Sequence, residues 1–287
     1  MMILNSPQVV QQTVLRWKQQ YKIAFVPTMG CLHEGHLQLI RKAKELGHKT
    51  VVSIFVNPLQ FGPAEDLKNY PRPFEEDVEK LELLSVDVLF APKEADLYPE
   101  CFCTQVKVQG LDEYLCGHLR PGHFEGVATV CLKLFQITAP DYAVFGEKDF
   151  QQLRIIQRMV EDLNLPISIV AHPIVREQDG LAMSSRNRYL SPEERQVAAH
   201  FPQAMSEARQ YFLNHGTCSV EEIVGCFRRR LAETVLQPDY VEIASGRDLV
   251  PQLPSVPVSS IMMPRLFAAV KVGKTRLIDN MSLGGEI

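Results

Sequence analysis

Along the first 175 or so residues, short apolar, β-branched runs alternate with longer stretches whose apolar residues recur every three or four positions. That alternation predicts βαβ units wound around a parallel sheet. Strands are predicted at Lys22–Val26, Val51–Val56, Asp87–Phe90, Tyr142–Phe145 and Ile167–Val170. Helices are predicted at His36–Leu46, Phe74–Leu84, Val127–Ile137 and Asp149–Leu163. Val51-Val52-Ser53-Ile54-Phe55-Val56 is almost continuously apolar, which places it at the sheet centre with helices on both faces.

The texture changes near Arg176. Ser191-Pro192-Glu193-Glu194 has the cap, proline and acids of a helix start, opening a helix predicted to run toward Phe212. A second helix is predicted at Ser219–Leu231, strands at Tyr240–Ile243 and Leu266–Val272, and a proline-rich loop at Val250–Val258. The predicted fold is α/β, a Rossmann-like doubly wound parallel sheet over residues 1–175 followed by a smaller C-terminal α+β domain over 176–287. At 287 residues, two domains also agree with a length prior of roughly 150 residues per domain.

Composition narrows the class. With 46% hydrophobic and 22% charged residues, disorder and fibrous repeats are poor fits. A net charge of -4 gives no general attraction to nucleic acid or to an anionic membrane, so Arg228-Arg229-Arg230 reads as a solvated helix face. Seven cysteines without a C-x-x-C pair indicate neither a disulfide framework nor a zinc ribbon, and a reduced, cytoplasmic location is expected. No signal-peptide pattern or membrane span is expected.

The candidate chemistry lies where strands end. The first strand runs into Pro27-Thr28-Met29-Gly30-Cys31-Leu32-His33-Glu34-Gly35-His36, a turn leading into a helix start. In an open parallel sheet ligands bind beyond the carboxyl ends of the strands, and the free N–H groups of a helix start favour phosphate. His33 and His36 are three apart, with Gly35 between them. Zinc would need further ligands and commonly uses histidines four apart on a helix, so phosphate is favoured over metal. Phe145-Gly146-Glu147-Lys148-Asp149-Phe150-Gln151-Gln152 repeats the strand-to-helix arrangement, with Lys148 as a point charge and Gln152 as an amide for a small polar substrate. Asn57 and Gln60 bring amides to a third strand end.

His33-x-Gly35-His36, together with Met183-Ser184-Ser185-Arg186 after the last strand, resembles the two signatures of the H-x-G-H nucleotidyltransferase superfamily. With Asn57-Pro58-Leu59-Gln60, Asn69-Tyr70-Pro71-Arg72, Arg120-Pro121-Gly122-His123 and Gly146-Glu147-Lys148-Asp149, nearly the whole chain resembles the pantoate–β-alanine ligases. That resemblance implies ATP-dependent joining of pantoate to β-alanine through a pantoyl adenylate, with release of pyrophosphate and AMP. It implies ATP contacts from Met29, Gly30, His33, Gly35, His36, Gly146, Glu147, Lys148, Asp149, Val175, Met183, Ser184, Ser185 and Arg186. His36, His33, Lys148 and Arg186 carry over as catalytic, and Gln60, Gln152, Asn57 and Tyr70 as the pantoate and β-alanine residues. Mg²⁺ accompanies ATP, with Asp149 as its candidate ligand, and Arg120 and His123 are expected to help cover the phosphates. A homodimer and a hinged C-terminal lid carrying the Met183–Arg186 loop are also implied. The competing readings are another H-x-G-H transferase, a tRNA synthetase, which the absent basic domain disfavours, and a nucleotide-binding regulator without catalysis.

Overall fold

The computed structural model describes residues 1–63 and 65–284, which fold as two compact units. The first comprises residues 1–109, 119–147 and 152–173; the second comprises residues 110–118, 148–151 and 174–287.

The first unit is built on six strands, β1 (Met2–Leu4), β2 (Ile23–Thr28), β3 (Lys49–Ile54), β4 (Val88–Phe90), β5 (Tyr142–Gly146) and β6 (Ser168–His172). Their order is β1-β4-β3-β2-β5-β6, and every pairing is parallel. β3 sits inside the sheet, as its apolar run predicts. Its helices are α1 (Pro7–Trp17), α2 (Glu34–Leu46), α3 (Phe74–Leu83), α4 (Glu94–Leu97), α6 (His123–Thr138) and, from Gln152 on, α7 (Phe150–Asp162), while α5 (Leu115–Leu119) falls mostly in the second unit. One face of the sheet packs Ala24, Val26, Val52 and Leu89 against Leu32, Ile40, Ala43 and Leu81 from the α2 and α3 region. Elsewhere Phe135 of α6 meets Phe25 and Phe145 edge-on, each at 6.3 Å between ring centroids. Quadrupolar rings favour that arrangement. From β2 the chain proceeds outward to β3 and β4, then returns to place β5 on the other side of β2. The strand order reverses there, so the carboxyl ends of β2 and β5 flank the switch point at which such sheets bind ligands.

The second unit holds α8 (Pro192–Ala198), α9 (His200–His215), α10 (Val220–Ala232) and an antiparallel sheet of β7 (Gln237–Ser245), β8 (Pro264–Val272) and β9 (Thr275–Ser282). Phe201, Met205, Ile223, Phe227, Ile243 and Leu266 are among the side chains of its core. The single helix predicted from Ser191 to Phe212 is two helices, broken at Ala199. Pro202 has no N–H for the carbonyl of Ala198 and its ring crowds that group, so the helix restarts with proline in its first turn. β1, α1 and β9 were not predicted. Ser6-Pro7 opens α1 with the cap and proline that mark α8, and the Ser6 hydroxyl accepts from the Val9 N–H. Among the described residues no helix is long and apolar enough to cross a membrane.

Candidate active site

At the end of β2 the chain must leave the sheet sharply. Thr28 ties its hydroxyl to the Ser53 carbonyl at 2.7 Å and accepts the Gly30 N–H at 3.1 Å. Gly30 lies at φ +81, and a Cβ there would meet Ile54 at 3.0 Å and the Asp77 carboxylate at 3.1 Å. A side chain there would strain the backbone and press on both neighbours. Asp77, buried on α3, accepts the backbone N–H groups of Cys31 and Leu32, each at 2.7 Å. Lys80, one turn on, donates to the Leu32 carbonyl at 2.9 Å. The strand-to-helix turn is therefore clamped by a carboxylate far away in sequence.

This clamp delivers His33 to the N-cap of α2 and His36 to its first turn, with ring centroids 4.0 Å apart. His36 Nδ1 accepts the His33 backbone N–H at 3.4 Å. A neutral imidazole that accepts at Nδ1 carries its proton on Nε2, so the bond selects a tautomer with an N–H donor at the ring's far side. Glu34 directs its carboxylate along α2 to Gln38 and Arg41, and Cys31 is buried. Neither side chain lies with the His33–His36 pair. Gly35 lies between the histidines in the first turn of α2.

Gln60 is held from two sides. Asn57, 1% exposed, donates from Nδ2 to Gln60 Oε1 at 3.0 Å and to the Gly126 carbonyl at 3.1 Å. Its Oδ1 accepts the Tyr98 hydroxyl at 2.8 Å and the Leu59 N–H at 3.4 Å. With its amide fully engaged inside the protein, Asn57 supports Gln60 and has little left for substrate. Gly126 is required here, because a Cβ would lie 2.3 Å from the Leu59 carbonyl oxygen. Met29 enters through its sulfur, 3.2 Å from Gln60 Nε2. Tyr70 is buried edge-on to Phe61, 5.9 Å between ring centroids.

The Gln60 carbonyl is bound separately. His123 Nδ1 lies 2.7 Å from it, and His123 Nε2 lies 2.9 Å from Arg120. A guanidinium only donates and a carbonyl only accepts, so His123 is the neutral Nδ1–H tautomer. Arg120 also grips Glu65 through Nε at 2.8 Å and a second nitrogen at 2.5 Å. Burial pushes the Glu65 carboxyl up, but the Arg120 hydrogen bond and charge bring it below its ordinary value. Arg120 and His123, expected to help cover the phosphates, hydrogen-bond Glu65, each other and the Gln60 backbone carbonyl.

β5 ends at Gly146, followed by a tight turn of Glu147, Lys148 and Asp149 and then α7. Of the two glutamines that follow, Gln151 is buried, donating to the Leu111 and Tyr114 carbonyls at 2.8 Å each and accepting the Cys116 N–H at 3.1 Å. Gln152 is only half-buried. In the second unit, Lys148 Nζ stands 3.6 Å from the half-exposed Asp149 carboxylate, and the Lys148 carbonyl accepts from Asn280 at 3.0 Å.

The remaining predicted residues lie on an arm of the second unit. Met183 donates its backbone N–H to the Val175 carbonyl at 3.0 Å, so a hairpin turning at Gly180 brings these two together. Ser184 caps a tight turn, Ser185–Tyr189, accepting the Arg186 N–H at 3.3 Å. The cap uses acceptor capacity and leaves the Ser184 O–H to donate. Arg176 braces the hairpin against Asp279 with bonds of 2.7 and 3.0 Å, and Arg195 reaches Glu177 at 2.6 Å and Asp179 at 2.5 Å. The Arg195 hydrogen bond holds the Asp179 carboxyl below its ordinary value despite opposing burial.

Among the described residues no three His, Cys, Asp or Glu side chains gather as a metal cluster. Mg²⁺ commonly takes one or two carboxylates and completes its shell with substrate phosphates and water, and Asp149 fits such a minimal site.

A sequence model of the Pantoate-beta-alanine ligase family matches residues 2–282. The pantothenate synthetase of Syntrophotalea carbinolica is 49% identical over 287 residues, covering 99% of both chains. That of Heliobacterium modesticaldum is 52% identical over 265 residues, 90% of each chain. Among solved structures, the pantothenate synthetase of Thermus thermophilus superimposes with a TM-score of 0.92 at 41% identity, covering 99% of this chain and 100% of the other. The pantoate-beta-alanine ligase of Francisella tularensis, complexed with beta-gamma ATP and beta-alanine, gives a TM-score of 0.82 at 33% identity over 100% of this chain and 99% of the other.

Proposed function

The chain belongs to the pantoate–β-alanine ligase family, an ATP-dependent ligase that makes pantothenate, and from that premise we propose how its residues divide the work. The observation that carries the reading is the His33–His36 pair at the head of α2, beside the switch point between β2 and β5.

In the first step a carboxylate oxygen of pantoate attacks the α-phosphorus of ATP, forming the mixed anhydride pantoyl adenylate as pyrophosphate leaves. In the second, the amine of β-alanine attacks the acyl carbon, loses a proton and expels AMP. Two anions must meet in the first step, so positioned cations and N–H donors supply the catalysis. His33 and His36 donate to phosphate oxygens and stabilise charge passing to pyrophosphate. Lys148 and Arg186 add positive charge, and the Ser184 and Ser185 hydroxyls donate alongside them. Met29, Gly30, Gly35, Gly146 and Glu147 shape the nucleotide-binding turns, with Val175 against the base and Met183 in the loop that closes over the phosphates. Gln60 and Gln152 hold pantoate, and Gln60 also serves β-alanine; Asn57 and Tyr70 support that pocket. Asp149 would hold Mg²⁺, which when bound neutralises phosphate charge and polarises the leaving group.

We also propose a homodimer assembled through the first unit, supported by the exposed Met2 and Ile3 on edge strand β1. A reducing, cytoplasmic setting is supported by seven free cysteines.

The adenylate is tested by incubating enzyme with ATP, Mg²⁺ and pantoate without β-alanine, then quenching in acid for mass spectrometry. A species with the mass of pantoate joined to AMP is expected. Its absence, with ATP consumed only when β-alanine is present, would replace the stepwise reading by a concerted one.

A further inference from the structure

We propose that Tyr98 is a positioning residue which, through Asn57, fixes the sense of the Gln60 amide so that its Nε2–H donors face substrate. The inference rests on the assignment of Gln60 to the pantoate pocket.

The sense of the relay is dictated by groups that cannot reverse. The Gly126 carbonyl only accepts, so the Asn57 nitrogen must face it, at 3.1 Å. The Leu59 N–H only donates, so the Asn57 oxygen must lie on the other side, at 3.4 Å. That second bond is long, and the Tyr98 hydroxyl supplies the shorter one to the same oxygen, at 2.8 Å. The remaining Asn57 N–H then points to Gln60 Oε1 at 3.0 Å and takes one of its two lone pairs, which fixes the sense of the amide. The Gln60 nitrogen, on the other side, rests 3.2 Å from the Met29 sulfur. A thioether is a weak acceptor that a carboxylate or hydroxyl oxygen readily displaces. The site therefore favours a substrate group that accepts, and disfavours an analogue bearing an amide or ammonium donor at that point.

Tyr98 is suited to the task. Its ring lies 6.0 Å from that of Phe55 and 5.0 Å from that of Phe102. Burial raises its hydroxyl well above the ordinary tyrosine value, so it remains a donor throughout the neutral range.

The test is a double-mutant cycle read as KM for pantoate and KM for ATP. Tyr98→Phe keeps the ring and removes the donor; the pantoate KM should rise roughly fivefold to tenfold, with the ATP KM within about twofold. Gln60→Ala should raise the pantoate KM further, and adding Tyr98→Phe to it should change nothing more. Equal effects of Tyr98→Phe in both backgrounds, or equal rises in both KM values, would show a general packing role and overturn the relay. Should Gln60→Ala leave the pantoate KM unchanged, the pocket assignment fails and the inference with it. If Tyr98→Phe does not fold, Gln60→Glu carries the test: a carboxylate accepts but cannot donate, so it should be at least as damaging as alanine. Retained pantoate affinity in Gln60→Glu would contradict the donor sense.

Discussion

Two regions are assigned to the nucleotide, and they are held in place by different physics. The turn from Gly30 to His36 is fixed by Asp77, a buried carboxylate that spends both oxygens on backbone N–H groups. The arm from Val175 to Tyr189 is braced mainly by ion pairs, several of them part-exposed, with side chains of Arg195, Glu177 and Asp179 between 29% and 33% exposed. A buried anion with fixed partners is poorly screened and costly to disturb, whereas part-exposed pairs are weak and respond to salt. The difference teaches that the His33–His36 turn is preorganised by a buried group, while the serine–arginine arm is held in larger part by pairs that salt can weaken.

The comparison breaks first at the chemistry. His36→Ala or Lys148→Ala should lower the rate of pyrophosphate exchange at least about 10²-fold, the scale of losing one transition-state donor; steady-state rates close to wild type in either variant would remove that residue from the set. Next comes the clamp. Asp77→Ala strands two buried N–H groups at roughly 1–3 kcal/mol each, so the urea midpoint should fall sharply. Arg195→Ala on the arm should cost about 1 kcal/mol or less in the same measurement. Equal losses would erase the distinction between the regions.

The smallest expected effect concerns acid. The Asp179 carboxyl is depressed below its ordinary 3.8 in the fold, so its pairing contributes stability fully above that value and loses it as pH falls through the lower, folded value. In unfolding measurements the deficit of Asp179→Asn should thus be constant from neutral pH to about 5 and shrink only below about 4. A deficit that disappears near pH 6 would point to another group.

What was legible in the sequence was local. His33-x-Gly35-His36 and Gly146-Glu147-Lys148-Asp149 stand out because strand end, glycine and helix start are adjacent in the chain, and five of the six strands of the parallel sheet follow from their β-branched runs. Asp77 was not legible, since it lies among Glu75 and Glu76 in a helix start where acids are ordinary caps, and its partners Cys31 and Leu32 are 46 and 45 residues away. The same holds for Arg120, whose pairing with Glu65 spans 55 residues. Asn57 was found as a site amide, but only the positions of Gly126 and Tyr98 reveal that its bonds are internal. β9 went unpredicted although it alternates and follows the Gly273-Lys274 turn, because its Asp279 and Asn280 obscure the apolar pattern.

The most direct test of the central claim, that this chain activates pantoate as an adenylate, is exchange of labelled pyrophosphate into ATP with Mg²⁺, with and without pantoate. Exchange that requires pantoate, followed by AMP release only when β-alanine is added, is the predicted result. Exchange without pantoate, or none in its presence, would contradict the assignment of the acid pocket to Gln60 and Gln152.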